Sequence, residues 1–141
     1  MSDYRPSPTD WVRDQVSAIQ AAGTTDAAQV MDRPVVLLTM IGRKSGDTLK
    51  VPVMRVEQGG VYAAFASKGG APEHPAWYHN LKANPDVTLQ DGAATGEYRA
   101  REISGDERAQ WWDRGVAAYP PYAEYQTNTD RQIPVFLLEP R

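Results

Sequence analysis

The chain contains no cysteine. That excludes disulfide bridges, a thiolate nucleophile and any cysteine-ligated zinc or iron–sulfur centre. It also fits a reducing compartment. Long apolar runs are missing too. Nothing approaches the roughly twenty consecutive apolar residues that span a bilayer. The polar start Met1-Ser2-Asp3-Tyr4-Arg5-Pro6 carries no signal-peptide core. Positive charge is not in excess. The formal net charge is −3, which speaks against nucleic acid as a partner, because phosphate contacts need a basic face. A cytoplasmic protein is the default expectation.

Several chemical motifs are absent as well. There is no G-x-G-x-x-G after a strand, which speaks against a Rossmann nicotinamide site. Gly42-Arg43-Lys44-Ser45-Gly46 has the wrong spacing for a P-loop, and no G-x-S-x-G elbow occurs. His74 and His79 stand five apart across a loop-to-helix junction, not at the one-face spacing of a helical metal pair. No metal site is expected. An enzyme with these side chains must rely on acid–base chemistry or on a bound cofactor.

What remains is an ordinary globular composition of 141 residues, 41% hydrophobic and 23% charged. Residues 1–8 read as a flexible tail and residues 9–141 as a single domain. Thr9 or Asp10 caps a first helix, with Trp11 and Ile19 on its apolar spacing, and Ala21-Ala22-Gly23 closes it. Residues 24–33 read as irregular. The β-branched run from Pro34 to Ile41 is a buried strand. Strands follow over 49–57 and 61–66, joined by the hairpin signal Gln58-Gly59-Gly60. A short helix fits Ala76 to Ala83, stopped by Asn84-Pro85. Strands at 87–90 and 95–102 flank the turn Asp91-Gly92. Ser104-Gly105-Asp106-Glu107 has the form of a capping box, and the helix after it should bury Ala109, Trp112 and Val116. A last strand covers 133–138, with Pro134 suggesting an edge or a bulge. The sum is an α+β domain on an antiparallel sheet or small barrel, with helices at its periphery.

Three features carry chemistry. Gly42 to Gly46 places two cations and a hydroxyl between glycines on a strand-to-strand loop. Glycines let backbone amides turn toward an anion, Arg offers a bidentate fork and Lys a point charge. Spacing alone leaves a phosphate grip and a solvated polar hairpin evenly matched. Ser67-Lys68-Gly69-Gly70 repeats the theme after another strand. If the strands at 49–57 and 61–66 pair, both basic loops share one sheet end and suit a ligand with several negative groups. The third feature is aromatic. Tyr119, Tyr122 and Tyr125 recur at three-residue spacing, which would align them on one side of a helical turn. Pro120 and Pro121 suggest that they are partly exposed, while Trp111 and Trp112 read as core.

In order and spacing the chain resembles the deazaflavin-dependent nitroreductase family. The resemblance runs through Gly42-Arg43-Lys44-Ser45-Gly46, Pro52-Val53-Met54, Ala66-Ser67-Lys68-Gly69-Gly70, His74-Pro75-Ala76-Trp77-Tyr78 and Asn80 to Pro85. It continues through Tyr119-Pro120, Tyr122, Tyr125-Gln126, Thr129-Asp130-Arg131 and Ile133-Pro134-Val135. It implies an antiparallel split β-barrel and the deazaflavin coenzyme F420 as cofactor, with FMN as the alternative. By the same resemblance Arg43, Lys44, Ser45 and Gly46 bind the cofactor phosphate. Ala66, Ser67, Lys68 and Gly69 approach the deazaflavin and its acidic tail. Pro52, Val53 and Met54 line the ring, with Trp77 near it. Tyr119, Tyr122 and Tyr125 shape the acceptor side, and Tyr122 delivers the proton. The implied reaction is hydride transfer from reduced F420 to a small electron-poor acceptor: a quinone, an enone or a nitro compound. A non-catalytic F420 carrier is the alternative function. A monomer or homodimer, with or without peripheral membrane contact, completes the expectation. Family nitroreductases place asparagine where this chain has Val51, and the N-terminal stretch matches less closely, so the acceptor is the open question.

Overall fold

The computed structural model describes residues 10–30, 33–44 and 46–141. The tail expected at 1–8 and Ser45 lie outside the described residues. The elements run α1 (Asp10–Ala22), β1 (Gln29–Val30), β2 (Arg33–Ile41), β3 (Thr48–Met54), β4 (Glu57–Gln58), β5 (Val61–Phe65), α2 (Ala76–Ala83), β6 (Asp86–Asp91), β7 (Ala94–Ile103), α3 (Gly105–Ala118), α4 (Pro121–Thr127) and β8 (Val135–Pro140). Single 3-10 turns at Thr25–Ala27 and Lys68–Gly70 interrupt the loops.

The described residues form one eight-stranded antiparallel sheet in the order β1-β2-β6-β7-β8-β5-β4, with β3 on the other side of β2. The register sets Leu37 opposite Pro52 and Gln90, and Ala100 opposite Leu138. Short antiparallel connections are therefore present as expected. The pairing of the third long strand is not as expected. The turn at Gly59-Gly60, where both residues take positive φ, joins only β4 to β5. Beyond it β5 pairs with β8, while β3 follows β2 along its whole length. The chain changes partner between Arg55 and Val56: Arg55 N–H donates to Pro34 O at 3.1 Å, and Val56 O accepts from Ala63 N–H at 2.9 Å. Among the described residues no ladder joins β3 to β5, so the sheet is left open there.

Both faces of the sheet are covered, which explains why β2 and β8 read as continuous apolar runs. One face carries Val35, Leu37, Ala63, Phe65, Val135 and Leu137 beneath α1, α3 and α4. The other carries Val36, Leu38, Met40, Tyr62, Leu89 and Phe136 beneath α2. In α1 the buried positions are Val12, Val16 and Ile19, one stripe of a helix. Trp11, expected on that stripe, is 57% exposed. Gly23, at φ +75°, caps the helix by donating to Ile19 O.

Three further expectations need correction. Neither half of the capping box forms: Ser104 makes no side-chain cap, and Glu107 accepts two hydrogen bonds of 2.9 Å from Arg101. Helix α3 buries Trp111 and Gly115 rather than Ala109, which is exposed. The phase is set by Gly115, whose missing side chain leaves room for the Phe65 ring. Pro134 sits just before β8, a central strand between β5 and β7, and not on an edge. Its carbonyl accepts from Ala66 N–H.

Candidate functional site

The first basic loop is a hairpin between β2 and β3. Gly42 N–H donates to Asp47 O at 2.9 Å and Gly46 N–H to Gly42 O at 3.0 Å. Gly46, at φ +72°, makes the turn that a side chain would resist. Arg43 and Lys44 are exposed. Among the described residues neither forms an ion pair, whereas Arg55, Lys68, Lys82, Arg101 and Arg141 each sit against a carboxylate. Two unneutralised cations on a tight glycine-bounded loop are what an anion needs.

The second loop leaves β5 through buried Ser67 into the 3-10 turn Lys68–Gly70. Lys68 takes φ +46°, a left-handed conformation that is uncommon for a residue with a side chain. Its ammonium is not free: it pairs with Glu73 at 3.0 Å and holds the Glu73 carboxyl below its usual range. That pair lies on the surface, where solvent screens it, so an incoming anion displaces it easily.

The two loops meet through α2 rather than through a shared ladder of β3 and β5. The backbone N–H of Arg43 donates to Oδ1 of Asn80 at 3.0 Å. Asn80 is buried in α2, the helix into which the second loop runs. Opposite this, Arg131 fixes the second loop from the other side. Its guanidinium donates to the carbonyls of Ala71 (2.8 Å), Ala66 (3.1 Å) and Ser67 (2.8 Å) and meets Nδ1 of His74 at 3.0 Å. Neither Asn80 nor Arg131 was assigned a role from sequence, although both fall inside the matched motifs.

The three tyrosines come together. Tyr119 and Tyr122 lie 4.9 Å apart between ring centroids, and Tyr122 and Tyr125 lie 6.3 Å apart. The reason differs from the expected one. Pro121 starts α4 instead of leaving an open segment, and Tyr119 and Tyr122 are buried. Tyr122 stacks on Phe65 at 4.7 Å and 14°. The hydroxyls of Tyr119 and Tyr125 are hydrogen-bonded at 3.0 Å. Burial, then that bond, pushes Tyr119 up to about 12. Burial raises Tyr122 further still, with the neighbouring tyrosines adding to it. Among the described residues the Tyr122 hydroxyl makes no hydrogen bond.

Strand alternation divides the expected ring-lining residues. Pro52 pairs with Leu37 and Met54 with Val35, so both face the tyrosine side. Val53 pairs with Val36 and faces α2, where Trp77 packs near Phe136 at 6.3 Å. The two groups meet only across the edge of β3 that has no ladder partner. The second loop packs on α4: Gly70 lies against the carbonyl of Tyr125, and a methyl group there would come within 2.7 Å of it.

A family model described as F420H(2)-dependent quinone reductase matches residues 11–140. The chain belongs to this family. It is an oxidoreductase, and coenzyme F420 is its cofactor. A putative F420H(2)-dependent quinone reductase of Mycobacterium tuberculosis is 40% identical over 108 residues, covering 77% of this chain and 91% of the relative. A solved structure titled as an F420-H2 dependent reductase is 58% identical, with a TM-score of 0.73 over 79% of this chain and 99% of its own. Another, titled as a domain-swapped dimer, is 59% identical with a TM-score of 0.75, covering 94% of this chain and 100% of its own. The residues of the F420 enzyme fit an anionic, ring-bearing group. Exposed Arg43 and Lys44, which form no ion pair among the described residues, suit the phosphate, and the apolar run Pro52-Val53-Met54 on β3 suits a ring. No described helix is long and apolar enough to cross a membrane.

Proposed function

We propose that the enzyme reduces a quinone at the Tyr122 face of β3, with the F420 phosphate held at the first basic loop. One observation carries this reading. Tyr122 is a buried phenol, stacked against Phe65, kept protonated by its surroundings, with a hydroxyl that no described residue occupies. An acceptor oxygen placed there can take the hydrogen bond that this hydroxyl gives to no described residue.

A quinone takes up one hydride and one proton to become a quinol. When bound, reduced F420 supplies the hydride. The chain supplies position and the proton. Arg43, Lys44, Ser45 and Gly46 grip the phosphate, while Ala66, Ser67, Lys68 and Gly69 reach the cofactor from the second loop. Pro52, Val53 and Met54 border the ring along the edge of β3, with Trp77 behind Val53. Tyr122 Oη donates the proton to the quinone oxygen and regains it from water. The Tyr119–Tyr125 pair fixes the wall of the acceptor pocket.

Residues 9–141 form a single split-barrel domain. Support comes from the α2-side core, to which β2, β3, β5, β6, β7 and β8 all contribute. A homodimer is favoured by the related domain-swapped structure. Exposed Trp11 and Ile41 favour peripheral membrane contact by an otherwise cytoplasmic protein. Titrating the purified enzyme with F420 and separately with FMN, then following reduced F420 against quinones, enones and nitro compounds, tests the whole. Tighter binding of FMN, or F420 binding without turnover of any quinone, would overturn it.

A further inference from the structure

Arg131 stands outside the residues that touch either ligand in the reading above, yet it joins the segments that do. Its side chain ties down the second loop at three carbonyls and at His74. Its backbone is tied to α4: Gln126 Nε2 donates to Arg131 O at 2.8 Å, and Gln126 Oε1 accepts from Ile133 N–H at 2.9 Å. Gln126 follows Tyr125 directly, and Tyr125 already contacts Gly70 of the loop. Arg131 has no carboxylate among these partners. A guanidinium whose fork is filled by loop carbonyls is a clamp on backbone geometry, not a surface ion pair.

We propose that Arg131 is a positioning residue that makes the second loop and the tyrosine helix α4 move as one body, so that the cofactor and acceptor sides of the active site are energetically coupled. This rests on the reading that the second loop contacts F420. A displacement of the loop at Ser67 or Ala71 pulls on Arg131, and through Gln126 on the helix that carries Tyr122 and Tyr125. The carbonyls of Ala66 and Ser67 lie next to Lys68, so the clamp also maintains that residue's left-handed backbone.

The test compares Arg131→Gln, Arg131→Lys and Lys68→Ala in the full-length protein, with F420 titrated by its fluorescence and KM measured for one soluble quinone. Arg131→Gln is expected to raise both the F420 dissociation constant and the quinone KM, each by roughly tenfold, a usual size for coupling between sites. Arg131→Lys should recover only part, because an ammonium cannot fill three carbonyls in one plane. Lys68→Ala should raise the F420 constant and leave the quinone KM alone. If Arg131→Gln lowers the melting temperature and leaves both constants unchanged, the clamp is structural only and the proposal is overturned. If Lys68→Ala weakens F420 and Arg131→Gln does not, the loop assignment stands and the coupling falls. If neither variant weakens F420, the loop assignment falls and takes the proposal with it. Should Arg131→Gln fail to fold, hydrogen exchange of the unaltered protein decides. Added F420 must raise protection in both 66–74 and 121–133, and protection confined to 66–74 overturns the coupling.

Discussion

The ring of Phe65 lies so close over the α-carbon of Gly115 that a methyl group built there would overlap its Cζ. The other face of the same ring stacks on Tyr122. Gly115 therefore sets the height of the phenol proposed as proton donor. Gly115→Ala gains helix propensity of about 1 kcal/mol. It should still be destabilising, by up to about 2 kcal/mol net, because overpacking a tight core costs about 1–3 kcal/mol. Turnover should fall as well. A variant as stable as the parent in urea unfolding would contradict the packing.

Tyr122→Phe removes one oxygen and keeps the stack. The F420 dissociation constant should change less than twofold. The turnover number with quinones should fall by on the order of a hundredfold, the lower end of general-acid contributions. Unchanged turnover with every accepted quinone would remove Tyr122 from the chemistry.

Arg43→Ala and Lys44→Ala act on binding alone. Charge-assisted bonds to phosphate are worth about 1.5–3 kcal/mol, so each loss should weaken F420 by roughly ten- to hundredfold. Turnover at saturating cofactor should hold. If the affinity of both variants equals that of the parent, the phosphate lies elsewhere.

His74 offers a pH test. Burial, then the Arg131 charge, lowers its folded-state pKa, with His79 adding to the effect and Glu102 opposing it. The unfolded chain, with a histidine pKa of about 6.5, then binds the proton more readily. Stability from this group is full above about pH 6.5 and declines as pH falls toward the folded pKa. Melting curves of the parent and His74→Gln between pH 7.5 and 5 should diverge, the parent losing more. Parallel curves would exclude the effect.

Asp91 accepts from Tyr62 Oη at 2.5 Å and from Arg55 Nε at 2.9 Å, at the point where the chain leaves β2 for β5. Burial and the bond to Asp91 push Tyr62 up to about 12. Asp91→Asn should cost about 2–3 kcal/mol of stability, since two charge-assisted bonds weaken. It should also let Tyr62 ionise at lower pH in an ultraviolet titration. A Tyr62 titration identical to that of the parent would show that the carboxylate does not govern it.

The elements with local causes were legible in the sequence. α1 has a glycine stop, β2 has a β-branched run, and the turns at Gly59-Gly60 and Gly92 have residues that accept positive φ. The first basic loop was legible because glycines bracket its cations. What escaped depends on distant partners. Asn80 meets Arg43 across 37 positions, and Arg131 meets Ser67 across 64. No local pattern records such a bond. The helix phase of α3 escaped for the same reason: a glycine on the buried side looks polar-neutral until Phe65 fills its place. The division of Pro52 and Met54 from Val53 was the exception. Strand alternation alone predicts it.

The central place of β8 has a consequence for how the protein is made. Residues 135–140 leave the ribosome after every other strand described, yet they are the strip that β5 and β7 both pair with. Until they emerge, those two strands each present an open edge, and the two halves of the sheet have no ladder between them. A nascent chain therefore passes through a half-assembled stage with two open edges, and the cofactor site first exists once β8 has joined β5 to β7.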